Sequence, residues 1–196
     1  MAKNMIRLGI ILMLFSAIAA LALAVTNNVT ADKILEQIAL AEQEALKQAA
    51  PAATEFTALT DKVGQFSGRP ELGDVQNIWE AKAADGTTAG YVVRVAPVGY
   101  GDRIITLVGV GNDGAITGLV IIAADNETPG LGAKVKQPEF QAQYTGKGAS
   151  GELVVVKRAA SADNEVQAIT AATISSTAVT KGANEALTVW KELTGR

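Results

Sequence analysis

The stretch Ile104–Ala123, IITLVGVGNDGAITGLVIIA, decides the fold of this chain. Two apolar runs rich in β-branched residues, Ile104–Val110 and Ile116–Ala123, flank the turn residues Gly111-Asn112-Asp113-Gly114. Apolar runs on either side of a Gly/Asn/Asp turn predict a β-hairpin. The stretch therefore predicts two adjacent antiparallel strands at the centre of the chain.

The segments around this hairpin predict the rest of the architecture. Upstream, the strand-like segments Asn77–Lys82 and Ala89–Val95 flank the turn Asp85-Gly86. Downstream, a short helix is expected from about Gln137, a fifth strand at Leu153–Lys157, and a last helix from about Ser176 to Leu193, with Val179, Ala183, Leu187 and Trp190 on one face. Strands in one block with helices at the ends predict an α+β domain with an antiparallel sheet.

The N-terminus predicts a membrane anchor. Leu8–Val25 contains 18 residues without a charge, which as a helix would span about 27 Å, close to the roughly 30 Å hydrocarbon core of a bilayer. Lys3 and Arg7 precede it and no charge follows until Asp32, so the positive-inside rule places the N-terminus in the cytoplasm. A cleaved signal peptide is the alternative, although the apolar run exceeds the usual h-region. Both interpretations export the domain.

An amphipathic helix is predicted after the anchor, from Ala31 to about Gln48, and Pro51 is expected to end it. Its predicted apolar face consists of Ile34, Leu35, Ile38, Leu40, Ala45 and Leu46. A polar stretch without clear periodicity follows to about Asp74. The expected division is a cytoplasmic segment 1–7, an anchor 8–25, a helix and connector 26–74, and a domain 75–196.

The composition restricts the chemistry. The 196 residues include no histidine and no cysteine, which excludes Ser-His-Asp and Cys-His nucleophiles, His/Cys metal sites and disulfides. A site made only of carboxylates, Lys, Tyr and hydroxyls remains possible, but no catalytic residue and no metal ligand is assigned. Redox chemistry would require a bound organic cofactor. The net charge of −3, without a basic cluster, argues against a nucleic-acid partner.

The loop after the second hairpin, DNETPGLGAK at Asp125–Lys134, is a candidate ligand site. Pro129-Gly130 fits a type II turn, because proline presets φ at the first central position and glycine tolerates a positive φ at the second. Such a loop exposes backbone N–H groups and allows a flat ligand to approach closely. A tight connection without a ligand explains the same residues.

A second candidate site is the hydroxyl-rich segment ahead of the last helix. The segment contains Thr170, Thr173, Ser175, Ser176 and Thr177, and the helix is expected to begin near Ser175 or Ser176. Free N–H groups and the helix dipole favour a phosphate at such a position. Alternatively, one of these hydroxyls simply caps the helix.

Together, NETPGLGAK and, some forty residues later, ITAATISSTAV resemble the FMN-binding domain of the G subunit of Rnf complexes. The C subunit of the sodium-pumping NADH:quinone reductase shares this domain. The resemblance implies that Thr173, within Thr170-Ala171-Ala172-Thr173-Ile174-Ser175, carries FMN through a phosphoester bond. Family members often have glycine where this chain has Ala171.

The resemblance also implies the remaining site residues. The phosphate would lie at the helix N-terminus near Thr170, Ala172 and Thr173, helped by the hydroxyls of Ser175 and Ser176. The flavin ring would lie toward the loop, near Glu127, Thr128, Gly130, Leu131, Gly132 and Lys134. Glu127 would handle protons, fix the loop or face water, and Lys134 would balance the reduced flavin. Asp125, Tyr91, Tyr100, Tyr144, Trp79 and Trp190 are interpreted as structural.

The function implied by the resemblance is electron relay without independent turnover. The chain would be a subunit of a membrane-bound, ion-translocating ferredoxin:NAD oxidoreductase, contacting the other membrane subunits and receiving its FMN from a flavin transferase of the ApbE type. Three alternatives remain: the C subunit of the sodium-translocating NADH:quinone reductase, a membrane-anchored scaffold without flavin, and an exported shuttle whose leader is cleaved.

Overall fold

The sheet predicted from the sequence is present in the computed structural model, which describes residues 2–149 and 151–196. Five strands pair in the order in which they occur along the chain, each antiparallel to the next. They are β1 (Glu55–Ala58), β2 (Val75–Lys82), β3 (Thr88–Val95), β4 (Ile105–Gly111) and β5 (Ile116–Ala123). The predicted α+β class with an antiparallel sheet is thus confirmed.

Four helices and a pair of short strands complete the described part of the chain. The helices are α1 (Ala2–Ala49), α2 (Thr60–Ser67), α3 (Pro138–Gln141) and α4 (Thr173–Thr194), with short 3₁₀ helices at Gly132–Lys136 and Ala142–Tyr144. The strands β6 (Val154–Val156) and β7 (Glu165–Gln167) pair in parallel with each other. The structure divides into two units, Met1–Glu42 and Gln43–Arg196.

Both faces of the sheet are covered. Successive side chains of the central strands point to opposite faces, and on both faces they are apolar. One face packs against α4 in the main core, which includes Ile78, Val93, Val108, Val179 and Ala183. The other face packs against residues 45–53 in a second cluster, which includes Trp79, Val92, Leu107, Leu46 and Ala49. The strands therefore hold α4 in a fixed position, with Val179, Ala183, Leu187 and Trp190 buried as predicted.

Two glycines let the end of α1 approach the sheet. A Cβ atom at Gly109 or Gly118 would overlap the backbone around Ala49. At this point the hydroxyl of Thr117 donates to the carbonyl of Ala49 at 2.6 Å. The glycines and this hydrogen bond fix the C-terminal turn of α1 on the sheet.

The structure corrects the sequence prediction in three places. The stretch expected to lack periodic structure before Asp74 contains β1 and α2. The fifth predicted strand, Leu153–Lys157, is shorter and lies outside the five-stranded sheet because it pairs with β7. The anchor and the amphipathic helix are one continuous helix, since no residue between them is a helix breaker.

The amphipathic segment is described in part. Ala45 and Leu46 are buried as predicted, whereas Leu40 is exposed. The side chains of Ile34, Leu35 and Ile38 lie outside the described part of the structure. The helix ends at Ala49, two residues before Pro51, as expected from the proline.

Within the described residues, one helical segment is long and apolar enough to cross a membrane. It spans Asn4–Ala31 and contains a window with a mean hydropathy of 2.7. Its 28 residues correspond to about 42 Å of helix, which exceeds the thickness of a hydrocarbon core. This segment includes the whole predicted anchor and fits a membrane location.

Candidate functional site

The loop that follows β5 contains the predicted Pro-Gly turn. The N–H of Leu131 donates to the carbonyl of Thr128 at 3.1 Å, and Gly130 has a φ of +78°. This is the geometry in which glycine is favoured at the third position of a turn. The chain then enters the 3₁₀ helix at Gly132, directly after the turn. The loop therefore reverses its direction within a few residues.

The N-terminus of α4 lacks a side-chain cap. The helix begins at Thr173, and Ala172 occupies the N-cap position without a capping hydrogen bond. Ala172 does accept the N–H of Ser176 at 3.1 Å, but no described residue accepts the N–H groups of Thr173, Ile174 or Ser175. The expectation that the helix begins near Ser175 or Ser176 with a hydroxyl cap is therefore wrong. Three free N–H groups at the positive end of a 22-residue helix form a favourable anion site.

A tight turn brings the chain into α4. The N–H of Ala172 donates to the carbonyl of Ile169 at 2.9 Å, and between them Ala171 has a φ of +62°. In the part of the chain that the structure describes, Ala171 is the one non-glycine residue with a positive φ. A glycine would fit this conformation without strain, which gives a physical reason for glycine at this position.

Glu127 connects the loop to α4. Its side chain is 3% exposed and its Oε2 accepts a 2.5 Å hydrogen bond from the hydroxyl of Ser175. Its Oε1 accepts the backbone N–H groups of Tyr100 at 2.8 Å and Gly101 at 3.1 Å. We call Glu127, Ser175, Tyr100 and Gly101 the Glu127 clasp. These contacts agree with the interpretation in which Glu127 fixes the loop.

Gly132 allows the clasp to close. A Cβ atom at this position would overlap both the carboxylate of Glu127 and the hydroxyl of Ser175. The second glycine of the PGLG segment is therefore required for packing, because the loop passes directly over the buried hydrogen bond. The loop and the first turn of α4 consequently form one joined surface.

A cavity of about 500 Å³ opens on this surface, a size typical of small-molecule sites. It is lined by Tyr100, Glu127, Thr128, Leu131, Gly132, Ala171, Ala172, Thr173, Ile174 and Ser175. Thr173 is half-buried, and its hydroxyl forms no hydrogen bond with any described residue. The hydroxyl is thus available for bonding to a ligand.

Most of the residues predicted for the site meet at this cavity, although 48 residues separate Glu127 from Ser175 along the chain. Four of them do not line it: Thr170, Gly130, Lys134 and Ser176. The first three are exposed to solvent. The hydroxyl of Ser176 is buried, where it accepts the N–H of Ile169 and donates to the carbonyl of Ala172, both at 3.0 Å. The hydroxyl of Ser175 likewise has a protein partner, since it donates to the carboxylate of Glu127.

Three residues line the cavity without having been predicted for the site: Tyr100, Ala171 and Ile174. Of these, Tyr100 was interpreted as structural. The structure places it at the cavity through a short loop in which Val98 pairs with Arg103. The signal that would have indicated this position is a large aromatic residue between two glycines, Gly99 and Gly101.

A larger cavity of about 700 Å³ lies along a different face of α4. Its lining includes Leu153, Lys181, Asn184 and Glu185. It contains neither the free N–H groups nor the loop of the smaller cavity, and for that reason the smaller cavity is the better candidate for a phosphate-bearing ligand. Burial, together with the nearby charge of Asp74, raises the pKa of the Glu185 carboxyl to about 7 against the effect of Lys181.

Removing the hydroxyl of Ser175 is expected to destabilise the fold. The variant Ser175→Ala would leave Oε2 of the buried Glu127 without its donor, at a cost of about 1–3 kcal/mol. Urea unfolding of the detergent-solubilised chain would measure this loss. Thr177→Ala, an exposed site on the same helix, should change stability by less than about 0.5 kcal/mol. Equal stabilities of the two variants would contradict the clasp.

Substitutions at Ala171 test the strain in the turn. Ala171→Gly is expected to raise stability by up to about 1 kcal/mol, because relief of the positive φ outweighs the added freedom of the unfolded chain. Ala171→Val is expected to lower stability by at least about 1 kcal/mol, since a β-branched residue tolerates this conformation worst. Thermal unfolding measures both changes. A valine variant as stable as the parent chain would refute the strain.

Comparison with known proteins agrees with the location of this site. Residues 99–188, which include the loop, the cavity and most of α4, match the family described as the FMN-binding domain. Residues 1–49, which include α1, match the family described as the RnfG N-terminal region. The N-terminal region and the C-terminal half of the chain thus each match a separate family description.

Curated relatives match over most of the chain. The G subunit of the Na(+)-translocating ferredoxin:NAD(+) oxidoreductase complex of Acetobacterium woodii is 40% identical, over 97% of this chain and 94% of that protein. The G subunit of the ion-translocating oxidoreductase complex of Methanosarcina acetivorans is 32% identical, over 94% of each. A crystal structure of Shewanella oneidensis NqrC aligns with a TM-score of 0.49 and 22% identity, over 59% of this chain and 61% of that one. The chain belongs to the G subunit family of ion-translocating ferredoxin:NAD(+) oxidoreductase complexes, and its C-terminal half contains that family's FMN-binding domain.

Proposed function

We propose that this chain relays electrons within a membrane-bound ferredoxin:NAD oxidoreductase complex through an FMN joined to Thr173 by a phosphoester bond. The observation that carries the proposal is the uncapped N-terminus of α4, where Thr173 opens directly on the cavity. The names of the curated relatives favour a G subunit over the C subunit of the quinone reductase.

The residues of the cavity fit the two ends of FMN. A phosphate requires hydrogen-bond donors and positive potential, which the free N–H groups of Thr173, Ile174 and Ser175 supply. A flavin ring requires apolar contact, which Leu131 and Ile174 offer because both side chains are exposed at the cavity. Esterification of Thr173 replaces one charge of the phosphate by a covalent bond, so a single negative charge remains for the helix to stabilise.

FMN, when bound, supplies the redox chemistry that no side chain of this protein can supply. The residues of the chain hold it in place. Thr173 is the tether, and the free N–H groups of α4 orient the phosphate. The Glu127 clasp keeps the loop against α4, so the two walls of the cavity stay at a fixed position relative to each other. Gly132 lets the loop approach closely enough for this to occur.

The membrane topology follows from the charges around the anchor. Arg7 lies near the start of the apolar segment, whereas its C-terminal side carries no basic residue before Lys33. The positive-inside rule then places the N-terminus in the cytoplasm and the FMN domain on the extracytoplasmic side. In this arrangement residues 8–25 are the anchor, 26–74 the connector and 75–196 the FMN-binding domain.

Two kinds of partner follow from the proposal. The anchor and the face around the cavity would contact the other membrane subunits of the complex. A flavin transferase of the ApbE type would attach the FMN to the Thr173 hydroxyl. A covalent tether suits an exported site, where a lost cofactor could not easily be replaced.

Activity of the assembled complex tests the proposal. In membranes that carry the whole complex, Thr173→Ala is expected to abolish ferredoxin-dependent reduction of NAD⁺ while the other subunits still co-purify with the chain. Thr177→Ala, which lies outside the cavity, should retain the activity. Full activity in a Thr173→Ala complex shown to lack flavin on this chain would favour a scaffold role instead.

A further inference from the structure

The exposed apolar side chains of the unit Gln43–Arg196 are concentrated at the candidate FMN cavity. Five large apolar side chains are exposed among the described residues of this unit: Val98, Tyr100, Leu131, Val154 and Ile174. Tyr100, Leu131 and Ile174 line the cavity, and Val98 lies two residues from Tyr100. Apolar surface collected at one place indicates a binding surface.

The backbone of Tyr100 is held by hydrogen bonds and close packing, whereas its side chain is exposed to solvent. Its N–H donates to Glu127, and the following Gly101 packs so tightly against Asn126 that a Cβ atom would overlap its backbone. The side-chain amide of Asn126 also donates to the carboxylate of Asp102 at 2.9 Å, which gives the Tyr100 loop a second fixed contact. The Tyr100 side chain is 69% exposed, and the phenol has no hydrogen-bond partner among the described residues.

We propose that the phenol ring of Tyr100 forms one wall of the flavin site and lies in contact with the isoalloxazine ring. The inference rests on the proposed function, because it assigns a further contact of the proposed flavin, besides Leu131 and Ile174, to an aromatic side chain. Tyr100 is the one aromatic residue among those that line the cavity. Aromatic rings pack favourably on flat conjugated rings, and a tyrosine leaves its hydroxyl in water while it does so.

The Glu127 clasp then has a second role in the site. Glu127 touches the first turn of α4 through Ser175 and the Tyr100 loop through two backbone N–H groups. A single buried carboxylate therefore sets the distance between the first turn of α4 and the backbone of Tyr100, from which the ring projects. Glu127 is a positioning residue, whereas Tyr100 contacts the cofactor.

Flavin fluorescence reports this contact without any measurement of turnover. A phenol in contact with a photoexcited flavin gives it one electron and takes it back, which quenches the emission. Phenylalanine keeps the ring but cannot give up an electron in this way. The full-length chain is therefore co-produced with its flavin transferase as the parent sequence, Tyr100→Phe and Tyr100→Ala. Tyr91→Phe, a half-buried tyrosine on β3 outside the cavity, is the matched control.

Emission per covalently bound flavin is compared before and after unfolding. We expect Tyr100→Phe and Tyr100→Ala to be several-fold brighter than the parent chain when folded, and all four proteins to be equally bright when unfolded. Tyr91→Phe should match the parent chain in both states. Folded emission that is the same for the parent chain and Tyr100→Phe would overturn the assignment of Tyr100 and leave the covalent site intact. Absence of covalent flavin from the parent chain would overturn the proposed function as well.

Discussion

Thr173→Ala is expected to yield a folded chain that carries no covalent flavin. The hydroxyl of Thr173 makes no hydrogen bond with the described residues and lies at the first position of α4, so its loss should cost less than about 0.5 kcal/mol of stability. Flavin attachment, in contrast, should fall to zero because the variant lacks the oxygen that forms the phosphoester. Flavin fluorescence of the denatured protein in a gel, after co-production with the transferase, measures the attachment.

Two neighbouring hydroxyls serve as controls for this experiment. Thr170→Ala and Thr177→Ala remove exposed hydroxyls on either side of Thr173, and neither residue lines the cavity. Both variants should keep the fluorescent band. A band that persists in Thr173→Ala would assign the flavin to another residue. A transferase active on a known acceptor but unable to label the parent chain would leave the scaffold role as the better account.

Glu185→Gln is expected to change the pH dependence of stability. Glu185 is 4% exposed and lies beside Lys181, whose ammonium is 3.3 Å from Oε1 of Glu185 and 2.6 Å from Oδ2 of Asp74. Since Lys181 and Arg103 both pair with Asp74, the carboxyl of Glu185 is poorly compensated. Burial accordingly raises the pKa of Glu185 from 4.5 to about 7.

The direction of the pH effect follows from how tightly the folded and the unfolded chain hold the proton of Glu185. The folded chain holds the proton of Glu185 more tightly than the unfolded chain does, so its stabilising contribution is complete below pH 4.5 and disappears as the pH rises through about 7. A glutamine stays neutral at every pH. At pH 8 we therefore expect Glu185→Gln to be more stable than the parent chain by about 1–3 kcal/mol, with little difference near pH 4.

Urea unfolding of the detergent-solubilised chain between pH 4 and pH 8 measures this difference. Glu152 is an exposed residue that lines the same larger cavity as Glu185. The control variant Glu152→Gln removes a carboxylate without changing a buried group, so its stability should show the same pH dependence as that of the parent chain. A Glu185→Gln variant whose stability ran parallel to that of the parent chain over the whole range would refute the raised pKa.

The sequence predicted the parts of the fold that depend on local pattern. The hairpins β2–β3 and β4–β5 were predictable because strand-like runs flank turns with Gly, Asn or Asp. The strand β1 was not, since only four residues pair and most of them are exposed, which is too short a segment for a periodic signal. The segment Leu153–Lys157 was recognised as a strand, but its partner β7 is three residues long and gives no signal.

The candidate site was predictable where a motif marks it and unpredictable where packing decides it. The resemblance identified Thr173 and the loop of Glu127. The contact of Ser175 was not predictable, because hydroxyls ahead of a helix usually cap it, whereas here the Ser175 hydroxyl donates to a buried carboxylate 48 residues away. The position of Tyr100 depends on two backbone hydrogen bonds to that same carboxylate, which local sequence cannot indicate.

The attachment site of the flavin can be measured most directly by fragmentation of one tryptic peptide. Cleavage after Arg158 and Lys181 releases residues 159–181, which contain Thr173 together with Thr170, Ser175, Ser176 and Thr177. The chain co-produced with its transferase is digested, and the fragment ions locate the added mass of FMN. We predict that every fragment containing Thr173, and no fragment lacking it, carries that mass. FMN on any other residue, or a peptide without FMN from a preparation with active transferase, would contradict the assignment.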